Sequence, residues 1–172
     1  MDYWFTFRNM KYLQTVFGIG LFFMVLSNVS FAQAGPAQPL SQKAMLYSKD
    51  PNLAANKKIV YDFWREVLEA GHLDLAPQFM TETYYQHNPN VPTGRQGFID
   101  FFSKISQPHP IVDTIKGPLI AIVAEGDRVV LVFNRVLPDP KEPGKKYTTA
   151  SFEMLRIEGG KVAEHWDSAV KE

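Results

Sequence analysis

Cysteine is absent from all 172 residues. That removes disulfides, zinc–thiolate sites, cysteine nucleophiles and a lipid-bearing N-terminal Cys. It fits an oxidising compartment without demonstrating one. Net charge is missing as well, since 18 basic residues face 18 acidic ones. A nucleic acid or an anionic membrane held by bulk electrostatics is therefore not expected, a local patch aside. The chain has no Walker A loop, no GxGxxG fingerprint, no GxSxG elbow and no HExxH helix. Nucleotide, dinucleotide and serine-hydrolase chemistry are disfavoured, and so is a close-spaced zinc site. What is present is 45% hydrophobic residues, enough for one ordinary globular domain.

The N-terminus carries its own pattern. Arg8 and Lys11 precede an apolar run, Val16 to Leu26, interrupted only by glycines. That run falls short of the roughly 20 residues a membrane-spanning helix needs. Ala32-Gln33-Ala34 then supplies small-x-small cleavage chemistry. Residues 1–34 therefore read as a signal peptide cut after Ala34, with residues 35–49 as a linker and 50–172 as the domain. An uncleaved anchor is the competing reading, because Tyr12, Leu13 and Phe31 extend the apolar stretch. Either way the domain is expected outside the cytoplasm, secreted or periplasmic, with no membrane contact once the segment is cut.

Asp50-Pro51 has the form of a helix start, a capping carboxylate followed by proline where no N–H is needed. Ile59, Val60, Phe63, Trp64, Val67 and Leu68 recur at helical spacing, and Gly71 stops the helix. A short second helix is expected from Leu73 to Met80, then a strand from Tyr84 to His87 ended by Asn88-Pro89. Thr93 with Gln96 suggests a capping box opening a third helix, its stripe made of Phe98, Ile99, Phe101, Phe102 and Ile105. From Ile111 the period changes to that of strands. Leu119–Ala124 and Val129–Leu137 flank a Glu125-Gly126-Asp127 turn, and strands follow at about Tyr147–Ile157 and Lys161–Ala169. Helices followed by antiparallel strands define an α+β chain, with a sheet that must curl around the helices.

In the last hairpin, a three-residue turn Glu158-Gly159-Gly160 would pair Ile157 with Lys161, Glu153 with His165 and Ser151 with Asp167. Alternation then puts Glu153, His165 and Asp167 on one face and Phe152, Met154, Val162, Glu164 and Trp166 on the other. A two-residue turn would instead move Glu153 to the opposite face from Asp167. Residue chemistry alone leaves that ionisable face equally readable as solvated surface or as the lining of a pocket.

Tyr85-Gln86-His87-Asn88-Pro89 and Gly160-Lys161-Val162-Ala163-Glu164-His165-Trp166-Asp167 resemble motifs of the SnoaL-like branch of the nuclear transport factor 2-like superfamily. The resemblance implies a cone-shaped, curved, mixed or antiparallel sheet wrapped around three N-terminal helices. It also implies a small-molecule pocket lined by the ionisable face, and homodimers. By similarity to ketosteroid isomerases, Trp64 stands where those enzymes use an oxyanion-hole tyrosine, Glu153 at their protonated aspartate, and Asn88 at their aspartate base. An amide cannot be that base, so ketosteroid isomerisation is not expected.

By similarity to polyketide cyclases, Asp167 is the candidate general acid or base and His165 its proton partner. His87 and Glu153 are candidate polarising groups. Phe63, Trp64, Tyr85, Asn88 and Ser151 are candidate substrate contacts. The expected partner is a small hydrophobic or carbonyl-containing molecule, handled with no cofactor and no metal. Aldol cyclase, isomerase or dehydratase chemistry stands as one reading, and a non-catalytic ligand-binding or dimerisation module as the other.

Overall fold

The computed structural model describes residues 39–171. The expected signal peptide lies outside the described residues. Among these, no helix is long and apolar enough to cross a membrane.

The first element, α1 (Gln42–Met45), falls inside the stretch read from sequence as a linker. That reading is corrected here, because Met45 is buried and α1 is tied to the domain through Gln42. The Gln42 amide donates to Ile115 O at 2.8 Å and accepts from Ile115 N at 2.9 Å and from the Tyr61 hydroxyl at 2.6 Å. One glutamine bridging three groups leaves no periodic signal in the sequence.

The main helix, α2 (Pro51–Asp62), starts as expected, with the Asp50 carboxylate accepting from Asn52 N at 2.8 Å. It runs directly into a wider π-type segment, Phe63–Glu69. Such widened turns occur often at functional sites. Here the segment buries Phe63 and Val67 and leaves Trp64, Leu68 and Glu69 half-buried. Gly71 ends it at φ 71°, where a Cβ would lie 2.6 Å from Gln107 O. The single helix expected at Leu73–Met80 is instead a 3₁₀ turn, Leu73–Leu75, followed by α3 (Ala76–Phe79). Pro77 in the first turn of α3 has no N–H with which to continue a helix from Leu73.

Met80 already belongs to the first strand, β1 (Met80–Gln86). The last helix, α4 (Arg95–Phe102), lacks the expected capping box, since its cap is Gly94 at φ 91° with no side-chain bond. Thr93 is engaged elsewhere, its hydroxyl accepting from Gln86 N at 3.3 Å, and Gln96 donates to Asp100 at 2.8 Å. Ile105, expected in the buried stripe, is exposed.

Four further strands follow: β2 (Leu119–Glu125), β3 (Arg128–Pro138), β4 (Lys146–Glu158) and β5 (Lys161–Trp166). The sheet order is β1-β5-β4-β3-β2. β1 and β5 run parallel and every other pair is antiparallel, so the sheet is mixed and the α+β expectation holds. Val60, Phe63, Phe98, Met80, Leu131, Leu155 and Val162 fill the core between helices and sheet.

The register of the last hairpin differs from the expected one. Glu158 pairs with Lys161 across a two-residue Gly159-Gly160 turn, both glycines having positive φ as the tight hairpin turn demands. Ile157 pairs with Val162, but Arg156 pairs with Glu164 and Leu155 with His165. Ala163 is therefore a bulge, one residue absorbed between two regular pairings. The bulge restores the parity that the shorter turn would have reversed. Val162, expected on the outer face, is fully buried beside Ala163 as a result.

Gly71→Ala meets both a left-handed backbone and the Gln107 carbonyl. It is expected to destabilise the fold by about 1–3 kcal/mol in urea titration, and an unchanged midpoint would show that the turn relaxes freely.

Candidate active site

A cavity of about 390 Å³ opens between the helices and the concave side of the sheet. Phe63, Trp64 and Leu68 from the widened helical segment and Phe98 and Phe102 from α4 form its apolar walls. The opposite wall is polar and comes from three neighbouring strands: Tyr84 and Gln86 of β1, His165 of β5 with Asp167 just beyond it, and Glu153 of β4. Trp64 is held by stacking on Phe133, with ring centroids 5.1 Å apart. An aromatic chamber with one polar wall is the usual form of a small-molecule site.

The polar groups are wired to one another. His165 Nε2 lies 3.2 Å from Glu153 Oε2, and His165 Nδ1 lies 2.9 Å from Gln86 Oε1. Both Asp167 oxygens accept: one from Asn88 Nδ2 at 2.7 Å, the other from Ala169 N at 2.9 Å. One ligand-type atom from each of Glu153, His165 and Asp167 lies within 4.8 Å of the others. Two carboxylates and an imidazole form a set that could hold a divalent cation, yet each already has a protein partner. The same arrangement suits proton transfer, because an acceptor and an exchangeable proton sit side by side at the edge of a mostly apolar chamber. Burial, and then the nearby Asp167 charge, push the Tyr84 phenol far above its usual range, so its hydrogen stays on.

The structure brings together Asp167, His165, Glu153, Phe63 and Trp64 in this cavity, with Asn88 behind Asp167. Three expected site residues fall elsewhere. His87 belongs to the outer face, with Nε2 2.7 Å from Glu164 Oε1 and its ring stacked on Trp166 at 4.7 Å. Tyr85 is exposed and packs on His87 at 4.8 Å. The reason is alternation: Met80, Tyr84 and Gln86 are the buried positions of β1, so Tyr85 and His87 must face away. Ser151 lines an adjoining, more open recess of about 590 Å³, with Phe133, Arg135 and Leu137, which shares Trp64, Glu69 and Glu153 with the cavity.

Tyr84, Gln86 and Glu69 were not anticipated. The buried alternation from Met80 is a signal for the first two. Glu69 gives none, because its carboxylate accepts from Lys116 N at 2.7 Å and Gly117 N at 2.8 Å, far away in sequence.

The sequence profile of the SnoaL-like polyketide cyclases matches residues 58–169. No curated protein matches the chain. Among solved structures, TsrD from Streptomyces laurentii is similar at 20% identity, over 70% of this chain and 90% of that one, with a TM-score of 0.46. A proposed SnoaL-like polyketide cyclase from a Jannaschia species is similar at 18% identity, over 71% and 91%, with a TM-score of 0.48. A proposed polyketide cyclase from Acidithiobacillus ferrooxidans is similar at 19% identity, over 66% and 86%, with a TM-score of 0.47.

On the outer face, hydrogen bonds from His87 and then from Arg156 hold the Glu164 carboxyl below its ordinary value of 4.5. A depressed folded-state value means stability that is present above pH 4.5 and lost as pH falls through the lowered value. Glu164→Gln is expected to remove that acid-range slope, an effect on the order of 1 kcal/mol or less for a partly exposed pair. Thermal melts of both proteins from neutral to acidic pH measure it, and parallel curves would count against the coupling.

Proposed function

We propose, for a chain that belongs to the SnoaL-like polyketide cyclase family, that the cavity takes a compact, mostly apolar carbonyl compound and withdraws a proton next to its carbonyl without a cofactor. What supports this is the meeting of Glu153, His165 and Asp167 within 4.8 Å at one end of an otherwise aromatic chamber. Asp167 acts as base and later as acid, since its oxygens accept from Asn88 and Ala169 without giving a proton away. His165 exchanges a proton with Glu153, which faces it. The resulting enolate is common ground for aldol closure, isomerisation and elimination. A cavity of about 390 Å³ suits a molecule at the small end of the drug-sized range.

The reading includes two further points. The domain works outside the cytoplasm, on the strength of the first 34 residues. It works as a homodimer through the outer sheet face, where exposed Phe152 sits beside Val132 and next to the Met154–Trp166 pair. Phe152→Glu is expected to leave a monomer in size-exclusion chromatography with light scattering. A wild-type monomer, or a variant that still pairs, would remove this interface. The intact mass of the protein from its host settles the cleavage point: a chain starting at Gly35 supports export, and an unprocessed start overturns cleavage.

The chemistry is tested with β-tetralone in deuterated water, following loss of the proton next to the carbonyl by NMR. The wild type should accelerate exchange, and Asp167→Asn should slow it by about 10²-fold or more. A variant as fast as the wild type would displace Asp167 from the role. Ligand retained without exchange in either protein would make the domain a binding module.

A further inference from the structure

The polar wall contains a chain of hydrogen bonds whose direction can be deduced. The backbone N–H of Asn88 is a donor under all conditions, and it lies 3.0 Å from Gln86 Oε1. The Gln86 side chain therefore has its oxygen at that end and its NH₂ at the other, because the reverse orientation would set donor against donor. Two consequences follow. The oxygen also faces His165 Nδ1 at 2.9 Å, so Nδ1 must carry a hydrogen. The NH₂ donates to the Tyr84 hydroxyl oxygen at 2.9 Å, which occupies that oxygen as an acceptor.

With Nδ1 protonated, the free position of a neutral His165 ring is Nε2, 3.2 Å from Glu153 Oε2. One proton shared there serves both groups, and Nε2 is the atom through which the ring takes up or releases it. With its oxygen accepting from Gln86, the Tyr84 hydroxyl has only its own hydrogen left to give. No acceptor among the described residues takes it. Tyr84 is 1% exposed and lines the cavity, so that hydrogen has no water route but the chamber itself.

We infer that Gln86 is a positioning residue that sets the polarity of the whole wall: it makes Tyr84 a hydrogen-bond donor to a carbonyl or enolate oxygen, and it makes His165 Nε2 the proton-exchanging atom. In the resemblance to ketosteroid isomerases, the position of their oxyanion-hole tyrosine is held by Trp64, on the helix. The donor is on β1 instead. In the step proposed above, Asp167 takes the proton from the carbon next to the carbonyl. The electron pair moves onto the carbonyl oxygen, and the Tyr84 O–H bond stays intact while its hydrogen bond to that oxygen strengthens. The raised phenol value agrees, because burial and then the Asp167 charge both favour the hydroxyl that keeps its hydrogen. This role in turnover rests on the acid–base reading, whereas the placement of hydrogens does not.

Two measurements test it on the full-length protein. The first is long-range hydrogen–nitrogen NMR of labelled histidine at a pH where the His165 ring is neutral. The hydrogen should sit on Nδ1 in the wild type and in Gln86→Glu, whose carboxylate still accepts from Nδ1. It should move to Nε2 in Gln86→Leu. A wild-type ring with hydrogen on Nε2 overturns the inference, and so does a Gln86→Leu ring unchanged from the wild type.

The second measurement is the affinity for para-nitrophenolate, with nitrobenzene as the probe lacking an oxyanion. Tyr84→Phe removes the donor, and Gln86→Glu turns the Tyr84 hydrogen toward its own carboxylate. Both should weaken para-nitrophenolate binding by about 10-fold or more and leave nitrobenzene binding as it was. Equal para-nitrophenolate affinity in all three proteins, or none in the wild type, overturns Tyr84 as the donor. If both measurements come out as expected and β-tetralone exchange does not, the acid–base reading fails while this inference stands.

Discussion

The pairing of β1 with β5 is the constraint on which the site depends. Among the described residues it is the one parallel contact in the sheet, and it joins segments far apart in the chain. It sets Gln86 directly beside His165, and it continues beyond β1 as His87 N donates to His165 O at 3.0 Å. Asn88 is thereby carried up to Asp167. Parallel strands demand a long crossover between them, and here that crossover comprises α4 and the whole β2–β4 meander. The same connection supplies Phe98 and Phe102 of the cavity's apolar wall, and Glu153. Closing the sheet edge and assembling the polar wall are one event.

Around that edge the helices supply shape rather than chemistry. The widened segment after α2 presents Phe63 to both core and cavity, and Trp64, Leu68 and Glu69 to the cavity, with Trp64 and Glu69 five residues apart as a π-type turn allows. A regular helix would repeat the same face every three to four residues. Glu69 spends its carboxylate on the backbone of Lys116 and Gly117, which ties the start of β2 to the end of this helix. Phe98 touches Phe63, Tyr84 and Phe102, so α4 and β1 are packed through one ring cluster. Tyr84 thus belongs both to the core and to the polar wall. That dual attachment is a reason its hydroxyl can be held without a second protein partner.

The sequence made the helix from Asp50, the β2–β3 hairpin and the shared face of Glu153, His165 and Asp167 legible, because capping chemistry, turn glycines and alternation are local. The shared face was reached through a wrong turn length, and the Ala163 bulge cancelled the error. What stayed hidden was long-range. His87 and Tyr85 drew attention because their side chains carry obvious chemistry, but the start of β1 at Met80 decides which positions of that strand face inward. Thr93 looked like a helix cap and is instead bonded to the Gln86 backbone across a loop. Gln42, Glu69 and Gln86 each bond groups remote in sequence, and no local pattern marks a single amide or carboxylate as a linchpin.

The bulge also bears on how the chain can change length. A one-residue slip normally exchanges the two faces of a strand, so insertions and deletions within a hairpin are usually ruinous. Between Glu158 and His165 this hairpin holds one residue more than its regular pairing needs. Loss of the bulged Ala163 can be absorbed by straightening the strand, with His165 still opposite Leu155. The hairpin carries a spare residue, and a lineage can drop it without moving the site.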